Sequence, residues 1–127
     1  MNPFTTVARQ RRAEGAIALA RRIETEGRIA RKLVQHALAS GYAVSVYDGE
    51  AWALKRSRKL ADIMGALFST DDDTLVFRDA EGARVGSVNL VYGNDGYDVI
   101  SDYGAPDLDA FTVWMRPIDE YAEAQEA

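Results

Sequence analysis

The sequence predicts an α+β fold in which helices cover one face of a mainly antiparallel sheet of about five strands. Two patterns lead to this prediction. Residues 5–40 contain no proline and consist mostly of alanine, arginine, glutamate, isoleucine and leucine, which are largely good helix formers. Between residues 44 and 101, strand-like segments are separated by Asp- and Gly-rich turns, which is typical of antiparallel pairing. The predicted order of elements is α-β-β-α-β-β-β-α.

The first element is predicted over residues 5–40, as one long helix or a helix pair. Its second half is amphipathic, because the apolar residues between positions 19 and 38 fall on one face and the arginines on the other. The pattern degrades before residue 16, and Gly15 and Gly27 are the predicted break points. We therefore expect residues 1–15 to project from the domain or to fray.

A β-hairpin is predicted next. Residues 44–47 and 50–54 alternate in the manner of short strands, and Asp48-Gly49 between them tolerates the positive φ of a type I′ turn. We expect Trp52 to lie in the core, since a small sheet needs large side chains to cover it.

The second half of the chain alternates helix and strand signals. Ser57 is a predicted N-cap for a helix running to Phe68, and residues 69–73 form a polar break. Three more strands are predicted, at residues 74–78, 84–92 and 97–101. Their tight turns imply an antiparallel meander. Residues 104–127 are expected to be a loosely attached tail with two helical pieces, residues 108–114 and an acidic piece beginning at Pro117.

Composition limits the classes of protein that this chain can form. With 127 residues, 47% of them hydrophobic and 28% charged, residues 1–127 should fold as a single domain. Cysteine is absent and histidine occurs once, which excludes disulfide scaffolds, thiol nucleophiles and the usual His/Cys zinc site. Neither a secretory signal nor a run of 18 apolar residues is present, so we expect a cytoplasmic protein without membrane contact.

Catalytic signatures are missing. His36 falls on the polar side of the first helix, where we expect an exposed side chain rather than a ligand or general base. The sequence has no Gly-x-Ser-x-Gly elbow and no glycine-rich phosphate loop. Asp71-Asp72-Asp73 could bind Mg²⁺ or Ca²⁺, but it lacks the spacing of a calcium loop, and a solvated acidic connection has the same sequence. We predict no enzyme, no cofactor and no metal, and keep a small metal-dependent enzyme as a third hypothesis.

Charge is distributed unevenly along the chain. Residues 1–32 hold eight lysines and arginines against three acids, a balance of +5, whereas residues 33–127 hold seven against 17, a balance of −10. The sum is the net charge of −5. Such asymmetry favours partner recognition or self-association.

Five segments of the sequence carry a resemblance to known proteins. They are Ala39-Ser40-Gly41-Tyr42, Val44 to Glu50, Lys55-Arg56-Ser57, Ala66 to Asp71, and Val91 to Tyr103. Here the chain resembles a group of small uncharacterised proteins of proteobacterial phages and plasmids, over roughly residues 35–103. The resemblance implies a mobile genetic element as the setting and implies nothing about catalysis.

The leading functional hypothesis is a non-enzymatic, acidic protein-binding module of a mobile genetic element. Tyrosines among aspartates are a composition often found at interfaces, and rigidly held carboxylates can imitate phosphate charge. The expected partner is a basic surface of a host protein that handles nucleic acid or acts in defence. The predicted partner-binding residues are Tyr92, Asn94, Asp95, Tyr97, Asp98, Asp102 and Tyr103.

The alternative hypothesis is a nucleic-acid-associated accessory protein that binds through its basic residues, independently of base sequence. It requires two basic segments to lie close together in the fold. Its predicted binding residues are Arg21, Arg22, Arg28, Arg31, Lys32, Lys55, Arg56, Arg58 and Lys59.

A homodimer is a further expectation. The apolar stripe of the first helix is wide enough to serve both its own sheet and a second copy, and the basic helix of one chain could face the acidic remainder of the other.

Overall fold

The computed structural model describes residues 2–126. Its helices are α1 (Pro3–Ala13), α2 (Ile17–Ala39), α3 (Leu60–Gly65) and α4 (Leu108–Ala124). Its strands are β1 (Ala43–Tyr47), β2 (Trp52–Ser57), β3 (Asp72–Arg78), β4 (Arg84–Val91) and β5 (Ile100–Gly104). The strands form one antiparallel sheet in the order β2-β1-β3-β4-β5. The predicted α+β class and five-stranded antiparallel sheet are confirmed.

The core lies between the sheet and its helices. Strands β3 and β4 alternate buried and half-buried residues, so Leu75, Phe77, Val88 and Leu90 point to one face. Helices α2, α3 and α4 pack on that face. The residues of β3 and β4 that point to the other face are half-buried.

The N-terminal region differs from the expectation. The observed order begins with two helices, because Gly15 adopts φ of +84° and turns the chain back. Phe4 and Ala8 are buried, and Phe4 packs directly on Gly27, which does not break α2. Residues 2–15 therefore fold onto the domain instead of projecting from it. Met1, which the expectation included, lies outside the described residues.

The C-terminal helix also differs from the expectation of a loose tail. Helix α4 is continuous through Pro117, because its apolar stripe extends on both sides of the proline. The buried residues of that stripe are Phe111, Met115, Ile118 and Ala122. This helix is thus part of the core. Ala127 lies outside the described residues.

The β1–β2 hairpin corrects the prediction for Trp52. A four-residue connection, residues 48–51, replaces the expected two-residue turn. Trp52 pairs with Tyr47 on the face that the helices leave uncovered, where its side chain is 46% exposed and its ring lies 5.3 Å from that of Tyr47. The register then shifts, so that Leu54 pairs with buried Val46 and packs against the core in place of the tryptophan.

The remaining boundaries move by a few residues. Helix α3 is shorter than predicted, because Ser57 belongs to β2. Strand β5 begins at Ile100, three residues later than predicted, since residues 93–98 form a loop. Among residues 2–126 the structure has no helix that is both long and apolar enough to cross a membrane.

Candidate functional site

The loop between β4 and β5 is fixed to helix α2. The Gly93 N–H donates to Oε2 of Glu26 at 2.9 Å, and Gly96 packs so closely on Arg22 that a Cβ would lie 3.3 Å from its carbonyl oxygen. Within the loop, the Asp95 N–H donates to Oδ1 of Asp98 at 3.0 Å. These contacts fix the backbone of the loop and the carboxylate of Asp98, and the side chains of Asp95 and Asp98 are both exposed.

Glu26 provides the anchor for this loop from inside the domain. Its side chain is fully buried, and Oε1 lies 3.4 Å from Nε of Arg22. Burial raises the pKa of the Glu26 carboxyl, while the Gly93 hydrogen bond and the Arg22 guanidinium act in the opposite direction. The basic helix and the acidic loop therefore meet through a buried acid that sequence analysis did not identify.

The C-terminal end of α4 adds carboxylates beside this loop. Glu126, followed by Asp95 and Asp98, raises the pKa of the Tyr97 hydroxyl, which places the negative charge of both segments around one tyrosine. Further along α4, burial and then Glu123 raise the pKa of Asp119. Two segments far apart in sequence thus form one acidic surface.

We call this surface the acidic face. It consists of Asn94, Asp95, Tyr97 and Asp98 of the loop, and Asp119, Glu123 and Glu126 from α4 and the residues that follow it. Across residues 93–126 the sequence has nine acids and one cation, Arg116, a balance of −8. The acids of α4 are recognisable in the sequence as part of an acidic helical segment. The sequence predicts that segment as a loosely attached tail, however, and not as part of a binding surface.

Two predicted partner-binding tyrosines have structural positions instead. Tyr92 is buried, and its hydroxyl donates to Oδ2 of Asp73 at 2.5 Å. Tyr103 packs its ring against Phe111, with centroids 5.7 Å apart, and its hydroxyl donates to Asp119 at 3.3 Å. Neither belongs to the exposed part of the acidic face.

Asp102 lies on a different surface from Asp95 and Asp98. It pairs with Asn89 in the β4–β5 ladder, and Asn89 has the orientation that alternates with the buried residues. Asp102 therefore points away from α4. Of the seven predicted residues, the structure brings together the four of the loop.

The three consecutive aspartates do not converge on a common point. Asp73 is fully buried, where Oδ2 also accepts from the Phe68 N–H at 2.9 Å. Asp72, the neighbouring strand residue, points to the opposite face, where Oδ2 lies 3.5 Å from the Asn89 amide nitrogen. Over the described range, 2–126, no three acidic or histidine side chains are grouped as metal ligands.

His36 is half-buried rather than exposed. Its ring stacks on Trp114 at a centroid distance of 4.3 Å, and Nε2 donates to the Trp114 carbonyl at 2.7 Å. The Trp114 indole N–H in turn donates to Ser40 at 2.9 Å. These contacts bind α2 to α4, so His36 has a structural role.

The basic residues of the alternative hypothesis do not form one patch. Arg28 and Arg31 lie in a groove between α1 and α2. The Lys32 ammonium lies 5.2 Å from the ring centre of Tyr121, on the side of α4. Arg22 is half-buried against the loop. Helix α2 thus places its cations in three different environments.

The second basic segment lies on the sheet. Lys55 and Arg56 of β2 surround a cavity of about 190 Å³ together with Trp52 and Arg78. The remaining predicted cations, Arg21, Arg58 and Lys59, are exposed.

Comparison of the chain with protein-family models, curated proteins and solved structures found no significant match. The resemblance to phage and plasmid proteins stays a prediction.

Proposed function

We propose that this chain is a non-enzymatic protein-binding module of a mobile genetic element, and that its acidic face docks on a basic surface of a host protein. The observation that carries the proposal is the convergence of Asp95 and Asp98 with Glu126 around Tyr97. A tyrosine, a residue type enriched at interfaces, is thereby surrounded by carboxylates on one strongly negative surface.

The way in which the loop is held supports binding rather than mere solubility. Solvating carboxylates need no defined geometry, whereas here Glu26 fixes the loop backbone from within the core and Asp98 accepts a bond from the Asp95 N–H. Carboxylates held in this way, as that of Asp98 is, lose little conformational entropy when a partner binds. They also steer a cationic partner during diffusion.

The partner is a basic protein groove of the kind that binds phosphates. Carboxylates spaced along a helix end and an adjoining loop place negative charge over a surface, as a nucleic-acid backbone does. A host protein that handles nucleic acid, including a defence protein, has such a groove. Binding of the acidic face would compete with its nucleic acid.

Affinity capture from a proteobacterial host lysate tests the proposal. The bait is compared with a variant of its acidic face, D95N/D98N/E123Q/E126Q. The amide oxygen that D98N introduces can still accept the hydrogen bond from the backbone N–H of residue 95, so the loop geometry is preserved. The matched control, E50Q/D62N/D71N/E81Q, removes the same amount of charge from exposed acids elsewhere.

We expect a protein that the wild type and the control capture, that the acidic-face variant does not, and that heparin displaces. Capture of the same proteins by all three baits would contradict the proposal. So would a complex that heparin does not affect.

The nucleic-acid alternative has less support, because its nine cations are divided among separate surfaces. A gel-shift assay at low salt with R21Q/R22Q/R28Q/R31Q tests it. A shift that this variant loses would favour the alternative over the proposed function.

A further inference from the structure

A second candidate site lies on the side of α2 that faces α1. The α1–α2 hairpin sets two helical stripes against each other. On α1, Thr5, Arg9 and Arg12 are spaced by four and three residues, and on α2, Arg28 and Arg31 are spaced by three. Together with Asn2, Phe4, Glu24 and Gly27 they line a groove of about 410 Å³, which we call the basic groove.

Charge in the basic groove is not balanced by the protein itself. Arg12 is ion-paired with Glu24, the one acid that lines the groove. Arg28 donates to the Thr25 hydroxyl at 3.0 Å, a neutral partner. Within residues 2–126, Arg9 and Arg31 form no ion pair. Four arginines against one glutamate leave a balance of +3 in a chain whose net charge is −5.

Like charges placed along two facing helices repel one another, and a bound anion would relieve that repulsion. Arginine is the residue best suited to such an anion, because its planar fork donates two parallel hydrogen bonds to a phosphate. The α1–α2 packing sets arginines of both helices along one groove. Gly27 makes that packing possible, since a Cβ there would lie 2.7 Å from Cβ of Phe4.

The groove continues into an apolar region. A neighbouring cavity of about 540 Å³ shares Asn2, Thr5 and Arg31 with it and extends to α3, where Leu60, Ala61 and Met64 form the wall. The volumes fall in the range of about 300–1,000 Å³ that small-molecule sites occupy. A ligand that spans both parts needs an anionic group at one end and a group with an apolar face at the other.

We propose that the basic groove binds a nucleoside monophosphate, with the phosphate between Arg9, Arg28 and Arg31 and the base over Leu60 and Ala61. The concave shape favours this small ligand over a nucleic-acid duplex, whose convex backbone needs cations spread over a surface. The site goes beyond the proposed function, because it uses α1 and α3, which contribute nothing to the acidic face.

Calorimetric titration of the full chain with AMP, inorganic phosphate and a single-stranded oligothymidylate tests this site. The groove variant is R9Q/R31Q, and the control is R21Q/R116Q, which removes the same charge from exposed arginines that do not line the groove. Circular dichroism verifies that both variants are folded.

We expect AMP to bind more tightly than inorganic phosphate, and its affinity to fall at least about tenfold in R9Q/R31Q and to stay within about twofold in the control. No binding of AMP, or equal losses in both variants, would overturn the proposal. Phosphate binding as tightly as AMP would also overturn it, since the apolar region would then have no part. The oligonucleotide binding while AMP does not would show that the groove belongs to nucleic acid instead. The capture experiment on the acidic face is independent of each result.

Discussion

The hydroxyl of Tyr92 donates a hydrogen bond to Oδ2 of Asp73 at 2.5 Å within the core. The same carboxylate oxygen accepts from the Phe68 N–H, while Oδ1 has no hydrogen-bond partner among the described residues. The ring of Tyr92 also meets Phe4 and Phe68 edge-on, at 5.6 and 4.9 Å. This pair therefore connects β3 and β4 to the helix hairpin.

Replacing Tyr92 by phenylalanine should destabilise the protein. The variant keeps the ring and deprives a buried carboxylate of one of its two donors, a change that costs about 1–3 kcal/mol of unfolding free energy. Urea denaturation measures the difference. Y47F is the control, because the Tyr47 ring is half-buried on the sheet, and it should stay within about 0.5 kcal/mol of the wild type. Equal stability of Y92F and Y47F would contradict the assigned role of the hydroxyl.

The raised pKa of buried Asp73 predicts how the free energy of unfolding depends on pH. Burial is the main cause that raises the pKa of Asp73 above 3.8, so the native state binds this proton more tightly than the unfolded state does. The contribution of such a group to the unfolding free energy decreases as pH rises from its unfolded pKa to its folded pKa.

D73N carries no titrating group at this position, so its unfolding free energy should decline less than that of the wild type as pH rises from about 4 towards neutrality. Urea denaturation at successive pH values measures both profiles, with D71N as the control for loss of one negative charge at the surface. A steeper decline in D73N than in the wild type would contradict the direction of the shift.

The packing of Phe4 on Gly27 predicts that G27A loosens the N-terminal helix. Overpacking costs about 1–3 kcal/mol, against a gain of about 1 kcal/mol in helix propensity. Gly65 of α3 has open space around its Cβ position, so G65A should show the gain alone. Urea denaturation should therefore rank G65A above G27A in stability. Limited trypsin digestion should cut G27A faster at the arginines of α1, and equal rates for the two variants would contradict the contact.

The packing of α4 on the sheet can be tested with a glycine-to-alanine substitution in the same way. A Cβ at Gly86 would lie 2.5 Å from the Phe111 ring, so G86A must displace either α4 or strand β4. We expect a loss of about 1–3 kcal/mol in thermal or urea unfolding. Gly104 of β5 has no atom within 4 Å of its Cβ position and is the matched control. If G104A were destabilised as much as G86A, α4 would not depend on this close approach.

The sequence predicts those helices and strands whose apolar residues repeat at a regular spacing along the chain. Alternation in β3 and β4 and the amphipathic stripe of α2 each depend on neighbouring residues. The position of Trp52 does not, because a register shift within the β1–β2 pairing places Trp52 and Leu54 on opposite faces, although strict alternation would put them on the same one. The role of Phe4 likewise depends on Gly27, which lies in the next helix.

The candidate site, too, is only partly predictable from the sequence. The loop with Asp95 and Asp98 is visible in the sequence as an exposed acidic turn. The burial of Tyr92 and Asp73 is not visible in the sequence, because a run of aspartates is typical of a surface turn. Only the pairing of β3 with β4 shows that Asp73 lies in the core. The acids of α4 join the site only because the apolar stripe of that helix fits onto the sheet. The expected homodimer stays a prediction, but the apolar stripe that supported it is buried within its own domain.

In the proposed function, the carboxylates of the acidic face bind a basic partner. The most direct measurement is the Kd of the captured partner for the wild type, for D95N/D98N/E123Q/E126Q and for E50Q/D62N/D71N/E81Q, at low and at high salt. We expect the acidic-face variant to bind at least about tenfold more weakly and the control to differ by less than about twofold, with wild-type affinity falling as salt rises. Equal Kd values for the two neutralised variants, or a wild-type Kd that salt does not change, would contradict the claim.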